Sequence, residues 1–199
     1  NMEGALGSTV MSGKLHLDWL PAINETFINL DVKKGDVNIN NLAFLFPKNI
    51  YEKLTVFGKF NLTGKFTGYI DDFVANGLFT GKFGQIKSDL NLKIDQANIE
   101  QSTYSGNLSL NDFHLGLILQ DTALFQKVTM SGRINGKGLS EETADFKLLG
   151  KVNSIGVLKY NYTNISTDAR FATQLFNGSL SIDDPNLKLN ATGSINIRK

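Results

Sequence analysis

Apolar and polar residues alternate along most of this chain. From Gly58 to Gly68 the even positions read Gly, Phe, Leu, Gly, Phe, Gly and the odd ones Lys, Asn, Thr, Lys, Thr. From Leu187 to Arg198 the odd positions are Leu, Leu, Ala, Gly, Ile, Ile and the even ones Lys, Asn, Thr, Ser, Asn, Arg. Val128, Met130, Gly132, Ile134 and Gly136 likewise alternate with Thr129, Ser131, Arg133 and Asn135. A period of two gives a strand one apolar and one polar face, the pattern of antiparallel sheets wet on one side. It predicts strands near 5–18, 26–34, 36–42, 55–68, 73–83, 85–95, 103–113, 127–138, 144–153, 155–162, 164–174, 177–183 and 186–198. Turns fall on Gly, Asn and Asp, as at Lys34-Gly35-Asp36, Tyr69-Ile70-Asp71-Asp72 and Asp183-Asp184-Pro185-Asn186.

Two stretches break the alternation. Pro47 to Leu54 opens with a proline suited to a first helical turn, and Ile50, Tyr51 and Leu54 recur at helical spacing. Leu115 to Phe125 occupies the equivalent place between later strands. A short helix at each would cover one end of the apolar face.

The equivalence follows from an internal repeat. Gly35-Asp36-Val37-Asn38-Ile39-Asn40, Gly106-Asn107-Leu108-Ser109-Leu110-Asn111 and Gly178-Ser179-Leu180-Ser181-Ile182-Asp183 share one form, and their leading glycines lie 71 and 72 positions apart. Other matches, such as Gly58 with Gly132 and Asp72-Phe73 with Asp145-Phe146, keep a similar offset. Units run over about 1–34 (partial), 35–105, 106–177 and 178–199 (partial), one elongated domain expected to be an excerpt of a longer repetitive protein. Glycines such as Gly64, Gly77 and Gly132 sit on the apolar side of strands, where a larger residue would gain burial. Small residues there permit strong coiling. The expected fold is all-β: antiparallel strands curling into an open hydrophobic trough, β-taco-like, with a short helix per unit of roughly 72 residues.

Composition narrows the function. At 199 residues and 41% apolar content the chain can bury a substantial core. A formal net charge of +1, with lysines spread along strands, lacks the basic footprint of nucleic-acid binding. There is no cysteine, hence no disulfide or thiolate metal site. His16 and His114 are isolated, and His16 falls on a polar strand face, so neither a metal site nor a catalytic histidine is expected. The acid pairs Asp71-Asp72, Glu141-Glu142 and Asp183-Asp184 sit at predicted turns and read as solvated acids rather than glycosidase carboxylates. Gly132 to Gly138 imitates a phosphate-binding loop but has the wrong spacing and leads into no helix. No catalytic residue, cofactor or metal is expected, and the chain reads as a non-enzyme.

A repeated one-faced sheet needs a cover. A second sheet would give a closed sandwich, while a trough could be covered by an apolar ligand. A sixteen-carbon acyl chain costs about 13 kcal/mol to hold in water, and a continuous apolar groove offsets that cost along its length.

The runs Gly58 to Gly68, Asp72-Phe73-Val74-Ala75-Asn76-Gly77 and Gly84 to Leu90 resemble the repeats of TamB/AsmA-like envelope proteins of Bacteroidetes-type bacteria. So does Phe176 to Leu189, with its Asp183-Asp184-Pro185-Asn186 turn. The resemblance implies an inner-membrane anchor outside this fragment, a periplasmic β trough, and phospholipid passage between inner and outer membranes. It also implies work with a BamA-like outer-membrane partner, TamA, in assembling outer-membrane proteins. Alternation places Phe60, Leu62, Phe66, Phe79, Phe83, Leu90, Leu92, Ile94, Leu108, Leu110, Met130, Ile134, Leu180, Ile182, Leu187, Leu189, Ile195 and Ile197 in the groove lining. The competing expectation is an extracellular structural or adhesive repeat, with those residues in a sealed core and glycan or protein bound through loops.

Overall fold

Twelve antiparallel strands follow one another across a single sheet, each hydrogen-bonded to the next in sequence. The strands are β1 (Met2–Leu6), β2 (Thr9–Asp18), β3 (Phe27–Asn38), β4 (Lys59–Gly68), β5 (Asp72–Gly81), β6 (Gly84–Lys93), β7 (Thr103–His114), β8 (Phe125–Lys137), β9 (Asp145–Val157), β10 (Tyr160–Ala172), β11 (Leu175–Asp184) and β12 (Leu187–Asn196). Two short helices, α1 (Lys48–Leu54) and α2 (Leu115–Ile118), interrupt the meander. This computed structural model describes residues 2–20, 22, 25–45, 48–138, 143–173 and 175–196. β1 and β12 are open edges, so the sheet neither closes into a barrel nor splits into two facing layers.

The sheet curls. Leu148 and Ile165 are only 9% exposed and Ala169 only 1%, on a face over which no second sheet lies. Their neighbours along and across the strands shield them. Bulges assist the bending. In β7 an extra residue between Leu110 and Phe113 shifts the register, and the freed Asp112 amide donates to Thr129 Oγ1 at 3.1 Å. Similar shifts occur in β3 between Val32 and Gly35 and along β8.

The helices lie at one end of the strands. Residues 39–57 after β3 form a 3-10 turn (Ile39–Leu45), α1 and a second 3-10 turn (Thr55–Phe57); α2 follows β7. Phe57 meets Phe83 edge-on at 5.0 Å between centroids, and Leu115 and Ile118 of α2 pack on the buried cluster Phe83, Leu110, Phe113 and Val128. The second expected helix, α2, thus covers one end of the apolar face together with the 3-10 turn at Phe57, whereas α1 contacts chiefly the 3-10 turns that flank it. At the corresponding junction of β11 and β12 there is only the Pro185–Asn186 turn.

Several boundaries differ from the sequence expectation. The run 5–18 is a hairpin, because Gly7 adopts φ +58 and a two-residue turn keeps the alternation in phase. The runs 26–34 and 36–42 are one strand to Asn38, the supposed turn at Lys34-Gly35 being a bulge, and the stretch from Ile39 is helical. Thr55 to Phe57 is 3-10 rather than strand. The three strands expected over 144–174 are two. Asn153 and Asn164 interrupt the ladder without ending it, and the real turn is Leu158–Lys159, with φ of +50 and +67. Neither residue is a customary turn former. Pro47 and the Glu141-Glu142 pair lie outside the described residues.

The repeated phrase falls on β3, β7 and β11, four strands apart. Gly106 and Gly178 occupy matching places, with φ of +142 and +151, and a Cβ on either would collide with the backbone oxygen of an aspartate on the preceding strand, Asp89 or Asp168.

Candidate functional site: the apolar face

Directly paired residues in an antiparallel sheet point to the same side, so the ladder registers assemble the apolar face row by row. One row reads Leu62, Phe79, Ile86, Leu110, Met130, Val152, Ile165, Ile182 and Leu189 across β4 to β12. Every member is a large apolar residue. The next row is Gly64, Gly77, Ser88, Leu108, Gly132, Gly150, Thr167, Leu180 and Ala191. A third reads Phe66, Ala75, Leu90, Gly106, Ile134, Leu148, Ala169, Gly178 and Gly193. A fourth, nearer the strand ends, is Gly68, Phe73, Leu92, Tyr104, Gly136, Phe146, Phe171, Phe176 and Ile195. Rows on one face lie about 6.8 Å apart, two residues of strand rise. The two middle rows mix Gly, Ala, Ser and Thr with Phe66, Leu90, Leu108, Ile134, Leu148 and Leu180, so the face between the outer rows is uneven, with recesses at its small residues. Phe66 of the third row stacks on Phe73 of the fourth at 4.5 Å, and Phe146 on Phe171 within the fourth at 5.5 Å.

Most of the predicted lining residues meet here. Phe60, Leu62, Phe66, Phe79, Leu90, Leu92, Leu108, Met130, Ile134, Leu180 and Ile182 are partly buried, and Leu110 is buried at 8%. Phe83 is placed differently: it sits in the turn between β5 and β6, 2% exposed, sealed in the cluster under the helices. Ile94 lies just beyond β6, its amide bonded to the Asp71 carbonyl at 2.6 Å. Leu187, Leu189 and Ile195 lie on the edge strand and are 37%, 39% and 57% exposed. Ile197 lies outside the described residues.

The sequence reading left out Leu148, Val152, Ile165, Ala169, Phe171 and Phe176, which continue the rows through β9, β10 and β11. Their period of two was visible in Phe146-Leu148-Gly150-Val152. In β10 the small Thr167 and Ala169 masked it.

The opposite face is polar and laced with ion pairs: Lys147 with Asp168 at 2.9 Å, and Arg170 with Asp145 at 2.6 Å. The Arg170 guanidinium holds the Asp145 carboxyl below the usual carboxylate range. Two shallow concavities cross β6 to β9 and β9 to β12; polar-face residues such as Lys87, Asn107, Arg133 and Lys151 line the first. Neither is lined by Phe60, Leu62, Phe66 or Phe79. The apolar face is thus an open surface, not a pre-cut pocket.

The pair Asp183-Asp184 corrects the expectation of two solvated turn acids. Asp183 is exposed and pairs with Lys188 at 2.6 Å. Asp184 is 1% exposed. Its carboxylate accepts bonds from the Tyr160 hydroxyl (2.6 Å), the Thr163 amide (2.8 Å), the Thr163 hydroxyl (2.9 Å) and the Asn186 amide (2.9 Å). These donors, Tyr160 foremost, pull its pKa down to about 2. It is a structural clasp that ties β10, β11 and the β11–β12 turn together. Asp71 and Asp72 do lie at the β4–β5 turn, with Asp72 3.9 Å from Lys93. His16 is exposed beside Asp18 at 3.1 Å. Among the described residues no group of three or more His, Asp or Glu is arranged to hold a metal ion, and no helix is long and apolar enough to cross a membrane.

No protein-family model, curated protein or solved structure matches this chain.

Proposed function

We propose that the apolar face is a binding surface for lipid acyl chains, in a non-catalytic periplasmic protein of the TamB/AsmA-like kind. Such a protein carries phospholipid between inner and outer membranes or supports outer-membrane protein assembly with a TamA-like partner. One observation carries the reading: an open sheet presents an unbroken row of large apolar residues, Leu62 to Leu189, across nine strands, with no second sheet over it among the described residues. A closed-core adhesive repeat would need such a layer. The small residues of the second row, Gly64, Gly77, Gly132 and Gly150 among them, give an alkyl chain recesses to lie in, beside Leu62 and Phe79 on one side and Phe66 on the other. Equivalent positions recur from repeat to repeat, so a chain can slide rather than settle in one minimum. Burial of about 0.8 kcal/mol per CH₂ accumulates along that path.

Photo-reactive residues at Phe66 and Leu189, with native mass spectrometry of the purified protein, test the reading. Lipid should co-purify and crosslink at both sites. Clean protein with silent crosslinkers, in the presence of added phospholipid, refutes it.

A further inference from the structure

At the end of the sheet away from the helices, large apolar side chains project with no element of the described residues covering them. Trp19 is 81% exposed and Leu20 59%, where β2 leads out of the sheet; Tyr69 is 42% and Ile70 41% exposed, where β4 turns into β5. The two sites are neighbours, because β3 pairs with both β2 and β4. Phe27, opposite Asp18 in the ladder, meets the Tyr69 ring edge-on at 5.5 Å. Leu17, paired with Ile28 and two residues before Trp19, is 37% exposed and belongs to the apolar face.

The display of Trp19 is built. Its φ of +72 is a conformation that costs a bulky residue energy unless its surroundings impose it. Thr26, only 2% exposed, donates its hydroxyl to the Ala22 carbonyl at 2.8 Å, with the Trp19 carbonyl 3.4 Å from the same oxygen. A buried threonine thus holds the turn that presents the indole to solvent.

The surrounding charge limits the partner. Positions 15–27 and 67–72 contain Asp18, Glu25, Asp71 and Asp72 but no Lys or Arg, and nearby Lys93 is engaged with Asp72. Attraction to an anionic surface is therefore ruled out as the driving force. Trp and Tyr, with an apolar body and a polar tip, favour the layer between lipid headgroups and acyl chains, and Leu and Ile favour the hydrocarbon below it.

We propose that this tip inserts into the interfacial layer of a lipid bilayer by hydrophobic partition, placing the apolar face of the sheet against the source of its chains. The second half of that statement rests on the acyl-chain reading above; the docking itself does not.

The chain's one tryptophan is a built-in reporter. Titration with phosphatidylcholine vesicles should shift Trp19 emission to the blue, and chain-brominated phosphatidylcholine should quench it. Adding anionic lipid should weaken binding. The double variant Leu20→Ser/Ile70→Ser keeps the reporter and should partition about tenfold or more weakly. Emission unmoved by vesicles, equal binding by the double variant, or a requirement for anionic lipid would each overturn the proposal. Crosslinking at Phe66 with detergent-dispersed phospholipid separates the two claims. The double variant should still crosslink, and a protein that binds vesicles yet never crosslinks keeps the docking and loses the trough.

Discussion

Asp184 shows how one side chain can be structural while its neighbour is solvated. Adjacent strand residues face opposite ways, so only one of the pair can turn inward. Here Asp184 does, and four donors compensate its desolvation. Its folded pKa of about 2 lies below the ordinary aspartate value of 3.8, so the clasp contributes fully above about pH 4 and is lost as pH falls toward 2. Thermal melts between pH 7 and pH 2 should show the wild-type chain losing more of its Tm than Asp184→Asn, which should melt several degrees lower at pH 7. Parallel curves would refute the clasp. The sequence shows a turn at Asp183-Asp184-Pro185-Asn186. That Tyr160 and Thr163 would reach it from more than twenty positions away depends on the β10–β11 register, which local pattern does not contain.

At the scale of elements, period-two alternation located nearly every strand, because one face of each is apolar and the other wet. It erred where the ladder slips. The bulge at Lys33-Lys34 looked like a turn, Asn153 and Asn164 looked like a break, and Leu158–Lys159 carries no Gly or Asn to announce a hairpin. The two helical insertions were legible because their apolar residues leave the period of two. The candidate site was legible as a face but not as an arrangement, since which residues share a row is fixed by pairing. Glycines on that face play different parts despite looking alike in sequence. Gly178 and Gly193 are paired in the same row. At Gly178 a Cβ would strike the Asp168 carbonyl and φ is +151, whereas nothing lies within 4 Å of a Cβ at Gly193. Gly178→Ala should therefore lower stability by about 1–3 kcal/mol. Gly193→Ala should leave it unchanged or raise it by about 0.4–1 kcal/mol. Urea denaturation midpoints check both; equal effects would show that the backbone at Gly178 is not constrained.

Over the whole molecule, each strand pairs only with its sequence neighbours, so stability is assembled locally, as in other repeat architectures. The buried cluster of Phe83, Leu110, Phe113 and Val128 ties β7 and β8 to the helical end. β12 has one partner, and all of its residues except Ala191 are exposed. Hydrogen exchange should accordingly be slowest in β7 and β8 and fastest in β1 and β12, in graded steps between. Uniform protection across the twelve strands would mean that the sheet opens as one unit.

The unpaired outer edges carry one more consequence. In a barrel, circumference dictates strand number, and changing the number changes the bore. This sheet has no such closure condition. Inserting or deleting a block of four strands would alter its reach by roughly 19 Å, at about 4.8 Å per strand, while leaving its cross-section as it was. Span and calibre are thus independent quantities in this architecture, and the distance it bridges can be set by copy number alone.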